Sequence, residues 1–151
     1  MIRLRRSRLE DGDRVVDIWR AAVDATHDFL TRDDRIAIDR EVRDFLPQMP
    51  LWLAVDESDR AVAFMGLTDA TMEALFVHPA HRGKGIGRAL VHHALALQPV
   101  LTTSVNAQNK QAIGFYENLR FVQVGRSETD EQGRSYPLLH LRIDVCGGRA
   151  E

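Results

Sequence analysis

The sequence predicts a mixed α+β domain in which a mostly antiparallel sheet is flanked by helices. Three observations carry this. Short apolar runs bounded by turn residues recur along the chain, and three of them follow one another between residues 51 and 77 as a meander. Stripes of apolar residues at helical spacing occupy residues 9–46. A further apolar run ends at Pro79 and leads through a basic, glycine-rich turn into another helical pattern.

Taken in order, residues 2–6 alternate and read as a strand. Residues 9–26 are helical, with Val15, Val16, Ile18, Trp19, Ala22 and Val23 as the inward stripe. A break at 28–32 precedes a second helix over 33–46, with Ile38, Val42, Phe45 and Leu46 inward. Pro47 and Pro50 stop it. Strands follow at 51–55, 61–67 and 71–77, then a helix over 85–97, a strand over 101–105 and a helix that runs through Tyr116. Residues 121–127 and 136–143 close as a hairpin around Asp130-Glu-Gln-Gly133. The order is β-α-α-β-β-β-α-β-α-β-β.

Size and composition set bounds. With 151 residues, 28% of them charged, the chain is expected to be a single soluble domain over 1–145 with a disordered tail over 146–151. No apolar run is long enough to span a membrane, and the basic N-terminus has no apolar segment after it, so neither a membrane anchor nor a signal peptide is expected. A net charge of -2 argues against a nucleic-acid partner. Cys146 is the one cysteine and cannot form an internal disulfide, so a reducing, cytoplasmic setting is expected, as a monomer or homodimer.

The segment Leu75-Phe-Val-His-Pro79-Ala-His-Arg82-Gly-Lys-Gly-Ile-Gly87-Arg88 carries the ligand chemistry. Glycines let a backbone turn tightly and approach a ligand closely. The free N–H groups of such a turn, and those of the helix it opens, attract phosphate. Arg82, Lys84 and Arg88 add positive charge at the same point. A nucleotide-triphosphate loop would need Gly-Lys-Ser/Thr, but Lys84 is followed by Gly85. A dinucleotide fingerprint would need different glycine spacing and an acidic strand end about 20 residues on.

Arg82-Gly-Lys-Gly-Ile-Gly87 resembles the Q/R-x-x-G-x-G/A signature of the GNAT family of N-acetyltransferases. A second stretch agrees: Val105-Asn106-Ala-Gln-Asn109, then Ala112-Ile-Gly-Phe115-Tyr116-Glu-Asn-Leu-Arg120-Phe121, is similar to the family's A-x-x-F-Y-E-x-x-G-F helix. Asn106 is expected to cap that helix. Arg120 stands where the family usually has a glycine of positive φ. The resemblance implies the acyl-CoA N-acyltransferase fold. It also implies that acetyl-CoA lies with its pyrophosphate on Arg82, Gly83, Lys84, Gly85, Ile86, Gly87 and Arg88. The pantetheine arm would pair with the backbone of Leu75, Phe76 and Val77, in a gap where the 71–77 and 101–105 strands splay. Asn106 and Asn109 would contact the same ligand. No metal is expected.

The resemblance also assigns chemistry. Tyr116 stands where the family often places the group that protonates the departing sulfur, and packing alone would be served as well by Phe; the alternative is a core tyrosine whose hydroxyl finds a partner. Glu73 stands where a base is often found, or it is a solvated strand residue. Asp69 reads as a hairpin turn residue. His27 and Phe29 fall in the stretch that lines the family's acceptor pocket, where His27 would shuttle a proton or simply cap a helix. His92 and His93 are adjacent on a helix, so they diverge and do not form a metal pair. The expected activity is acetyl transfer from acetyl-CoA to a primary amine of a small molecule. A protein lysine or N-terminal acetyltransferase and a non-catalytic acyl-CoA binding module are the alternatives.

Overall fold

A computed structural model describes residues 2–26 and 29–145. The expectations placed on His27, on Cys146 and on the 146–151 tail lie outside the described residues. The elements follow the predicted order: β1 (Arg3–Arg6), α1 (Gly12–Thr26), α2 (Arg32–Phe45), β2 (Leu51–Val55), β3 (Ala61–Thr68), β4 (Thr71–Val77), α3 (Ile86–Leu97), β5 (Val100–Asn106), α4 (Lys110–Asn118), β6 (Val122–Ser127) and β7 (Leu138–Asp144). The strand order is β1-β2-β3-β4-β5-β7-β6. The chain divides into two compact units. One holds the residues up to Leu67 and then Ala74–Val91; the other holds Thr68–Glu73 and the chain from His92 on. β4 is divided between them. None of the described helices is long and apolar enough to cross a membrane.

The first unit is built on β1, β2 and β3, paired antiparallel, with Leu53 opposite Phe64 and Leu51 opposite Gly66. Its core joins Val15, Ile18, Trp19 and Val23 of α1 to Leu51, Leu53, Val55 and Phe64 of the sheet, so the predicted α1 stripe faces inward throughout. α1 begins later than expected. Leu9–Asp11 form a 3₁₀ turn in which the Arg8 N–H donates to Asp11 Oδ2 at 2.8 Å, and Leu9 is 82% exposed. Gly12 opens α1 against Pro47: a Cβ there would lie 2.7 Å from the Pro47 Cβ. In α2, Thr31 accepts from the Asp34 N–H, and Ile38 and Val42 pack on the core. Phe45, expected inward, is 67% exposed. It is the last α-helical residue, its φ has widened to −101°, and the tighter 3₁₀ turn that follows gives the inward place to Leu46.

An ion cluster ties α1 to α2. Arg20 grips Asp39 with both Nε (2.8 Å) and Nη2 (3.0 Å). Arg35 reaches Asp39 and Asp24, each at 2.8 Å, and lies over the Trp19 ring. The Arg20 hydrogen bond, opposed by burial and reinforced by Arg35, draws the Asp39 carboxyl from 3.8 to about 2.

The second unit is built on β5, β7 and β6. Leu101 lies opposite Ile143 and Thr103 opposite Leu141, antiparallel. The opening residues of β4 run parallel to β5, with Thr71 beside Thr102 and Met72 beside Thr103. Leu101, Thr103, Val105, Leu141 and Ile143 are buried. Thr102, Ser104, His140 and Arg142 alternate with them and form the opposite face.

α4 ends in a Schellman closure. The Phe121 N–H donates to the Tyr116 carbonyl and the Arg120 N–H to that of Glu117. The Phe121 and Tyr116 rings sit 5.1 Å apart, the apolar contact that accompanies this motif. The left-handed position falls on Arg120, with φ +80°. The closure therefore forms without glycine, at the cost of a strained residue.

Two outcomes follow. A carboxylate whose folded value is depressed stabilises the fold above its unfolded value, and this is lost as pH falls through the folded one. Asp39→Asn is therefore expected to lower stability at neutral pH. The gap from wild type should close between about pH 4 and pH 2, read by urea melts across pH. Arg120→Gly removes strain of about 1–2 kcal/mol and adds about 0.5–1 kcal/mol of unfolded-state entropy. A net gain of up to about 1 kcal/mol, or roughly 2–4 °C in Tm, is expected by calorimetry.

Candidate active site

The glycine-rich turn expected to cradle phosphate, Arg82 to Arg88, belongs to the first unit. β4 ends at Val77, and the His78 N–H donates to the Val62 carbonyl at 2.9 Å. The His78 ring then turns back to cap the next turn, its Nδ1 accepting from the Ala80 N–H at 3.1 Å. Burial pushes His78 below the usual imidazole range. This agrees with a neutral ring whose Nδ1 is an acceptor. Pro79–His81 make a 3₁₀ turn, and Arg82 leaves it extended.

Gly83 and Gly85 both have positive φ, +76° and +78°, and a Cβ at either would meet nothing within 4 Å. Their requirement is conformational, and the space beside them is open. The Ala89 N–H to Gly85 carbonyl bond, 3.0 Å, opens the ladder of α3. The N–H groups of the preceding helical residues, Ile86, Gly87 and Arg88, are first-turn donors with no intrahelical carbonyl. Lys84 and Arg88 are exposed and Arg82 is half-buried. Ile86 is 3% exposed, so of that predicted contact only the backbone is available. Two left-handed glycines, first-turn amides and three cations suit a pyrophosphate. Leu75, Phe76 and Val77 are half-buried on the strand that leads in, and Phe76 packs 5.4 Å from Phe64.

The second unit holds the other predicted residues. Tyr116 is buried and bonds the Thr103 hydroxyl. Thr103 Oγ1 donates its own proton to the Met72 carbonyl at 2.8 Å, so the phenol is the donor to Thr103. Burial, only partly offset by that bond, raises the phenol well above the ordinary tyrosine value. Glu73, next to Met72 on β4, is exposed, and its Oε2 accepts from the Thr68 hydroxyl at 2.6 Å. Asp69, in the turn between those strands, has φ +52°, as its turn reading requires.

The expected cap is corrected. Asn106 Oδ1 accepts from the Gln108 N–H within its own turn. Asn109 caps α4, accepting from the Ala112 N–H at 3.2 Å. Asn106 ends β5 and lies four residues before Lys110, too far upstream to reach the first orphan amides. Phe29 is half-buried beyond the end of α1.

Strand alternation sorts these residues. Met72, Thr103 and Tyr116 share the buried face of the second unit. Thr71 and Thr102, whose hydroxyls lie 3.2 Å apart, share the other face with Glu73 and Ser104. On that face Ser104 bonds His140 Nδ1 at 2.8 Å and Ser127 bonds His140 Nε2 at 2.7 Å. Sequence reasoning missed Thr103, Ser104, Ser127 and His140. The available signal was period-two alternation: Thr103 is polar at an inward position, and His140 is ionisable in Leu138-Leu-His-Leu-Arg142. Among the described residues, no group of three or more His, Cys, Asp or Glu side chains is arranged to hold a metal ion.

The family model described as an acetyltransferase (GNAT) domain matches residues 47–123, which include the cradle, Glu73, Thr103 and Tyr116. The peptidyl-lysine N-acetyltransferase YjaB of Salmonella typhimurium is 55% identical over 141 residues, 93% of this chain and 97% of that one. The solution structure of apo YjaB from Escherichia coli is similar with a TM-score of 0.92 at 52% identity, over 95% of this chain and 97% of that chain. The PaiA N-acetyltransferase of Thermoplasma acidophilum, solved in complex with coenzyme A, shares the fold with a TM-score of 0.75 at 17% identity, over 93% of this chain and 98% of that one. With both signature segments in place and this similarity running nearly end to end, the chain belongs to the GNAT family of acetyltransferases.

Proposed function

We propose that the chain moves the acetyl group of acetyl-CoA to the ε-amine of a lysine in a polypeptide. The observation that carries this is the 55% identity, over 93% of the chain, to a relative named as a peptidyl-lysine N-acetyltransferase. A small-molecule amine, the expectation from the sequence, is the rival that an acceptor panel would separate from it.

The parts have distinct tasks. The turn from Arg82 to Arg88 receives the pyrophosphate, and the backbone of Leu75–Val77 receives the pantetheine amides. Asn106 and Asn109 spend their side-chain carbonyls on local turns, so they offer amide N–H groups to the ligand. Phe29 lines the acceptor pocket in this reading. Glu73 receives the acceptor's ammonium. A lysine amine holds its proton below a pKa of about 10.4, so a proton must leave before the nitrogen can attack. Tyr116 turns its one O–H from Thr103 to the departing sulfur as the thiolate leaves. Its burial keeps the phenol protonated across neutral and mildly alkaline pH, and Thr103 sets its orientation.

A CoA-thiol release assay over lysine peptides, free amines and amino acids tests the acceptor. Peptide acetylation at lysine is expected, and turnover confined to small amines would replace this reading. In the same assay Arg82→Glu should raise the KM for acetyl-CoA by about 10-fold or more. That is the scale of one charge-assisted phosphate bond, about 1.5–3 kcal/mol. Tyr116→Phe should lower kcat toward the small end of general-acid effects, about 10²-fold, with the acetyl-CoA KM little changed. Because the phenol is raised, wild type should show no loss of rate from its ionisation up to about pH 10. A descending limb below that pH that disappears in Tyr116→Phe would contradict this assignment.

A further inference from the structure

The exposed face of the second unit holds an imidazole with a hydroxyl on each ring nitrogen. Ser104 and His140 are directly opposed on β5 and β7, and Ser127 approaches from β6. A neutral imidazole has one N–H, so one serine donates to the ring while the other accepts from it. An imidazolium donates from both nitrogens, and two serine hydroxyls rotate to accept both bonds. The ring is thus equally well hydrogen-bonded in either charge state. A backbone carbonyl or amide partner would instead hold one tautomer. Ser104 stands between His140 and β4, on the same face as Glu73.

We propose that this bridge, resting on the amine-acetylation reading above, carries away the acceptor's proton. The acceptor ammonium gives a proton to Ser104 Oγ as the Ser104 hydroxyl proton passes to His140 Nδ1. One N–H bond of the ammonium breaks, one N–H bond of the imidazole forms, and Ser104 keeps a single proton throughout. The amine's freed electron pair attacks the thioester carbonyl, and the imidazolium later returns its proton to water. His140 enters with its Nε2–H donated to Ser127. Glu73 holds the acceptor's charge while the imidazole takes the proton. The charged groups of the second unit on this face are Glu73 from β4 and Arg142 and Asp144 from β7. Arg142 lies 3.4 Å from Asp144, so its charge is partly answered there. The same-face positions of β5 (Thr102, Ser104) and β6 (Val122, Gly125, Ser127) are uncharged.

The test compares wild type, His140→Gln and Ser104→Ala on a lysine peptide from pH 6 to 9, with His140 followed by NMR in the wild-type protein. Both variants are expected to lose about 10²-fold in kcat/KM near neutrality. The loss should shrink as pH rises toward the amine's own value, where the acceptor sheds its proton unaided. The NMR midpoint of His140 should coincide with the acid limb of the wild-type profile. A wild-type pH profile in either variant, an equal loss at every pH, or a His140 midpoint away from the acid limb would each reduce the bridge to a structural link between strands. Failure of wild type to acetylate any amine would instead remove the acetyltransferase reading, and this proposal with it.

Discussion

One buried hydroxyl ties the elements of the second unit together. Thr103 Oγ1 donates to the Met72 carbonyl on β4 and accepts from the Tyr116 phenol on α4. It therefore links two parallel strands and a helix at a point where unpaired polar atoms would be costly. The Met72–Thr103 register and the orientation of the Tyr116 hydroxyl are tied to it. Burial is the main cause that keeps the phenol protonated.

The Schellman closure fixes the same tyrosine from the other side. The Tyr116 carbonyl accepts the Phe121 N–H, and the two rings pack edge to face. The backbone and ring of Tyr116 are thus pinned by the end of its own helix, and its hydroxyl by β5. This over-determination is what holds Arg120 in a left-handed conformation that a glycine would adopt without strain.

Strand periodicity then separates two kinds of chemistry. On β4 and β5 the odd and even positions point to opposite faces. Met72 and Thr103 face the dry interior with Tyr116, while Glu73 and Ser104 face outward with His140. The phenol therefore lies in the low-dielectric layer, and the carboxylate and the imidazole lie on the wet one. Much of the architecture was legible without coordinates. The stripe of α1, the full span of β4 and the turn glycines Gly83 and Gly85 are local signals, set by period and by backbone freedom. The helix ends were less legible. Asn106 and Asn109 are both good caps, and which one serves depends on where β5 stops. Phe45 carries the right spacing yet faces solvent, because a 3₁₀ turn rotates the chain at that point.

The sequence by itself determined the element order, the glycine turn before α3 and the family, because each rests on contiguous residues whose spacing states its own geometry. Tertiary structure alone decided which side chains meet. Thr103 reaches Tyr116 through the packing of α4, and Ser104 and Ser127 close on His140 through strand register, between residues 13 to 36 positions apart. No local pattern encodes that register. It is set by which inward positions of β5, β6 and β7 bury together, and a slip of one residue would turn His140 into the core and Thr103 out to solvent.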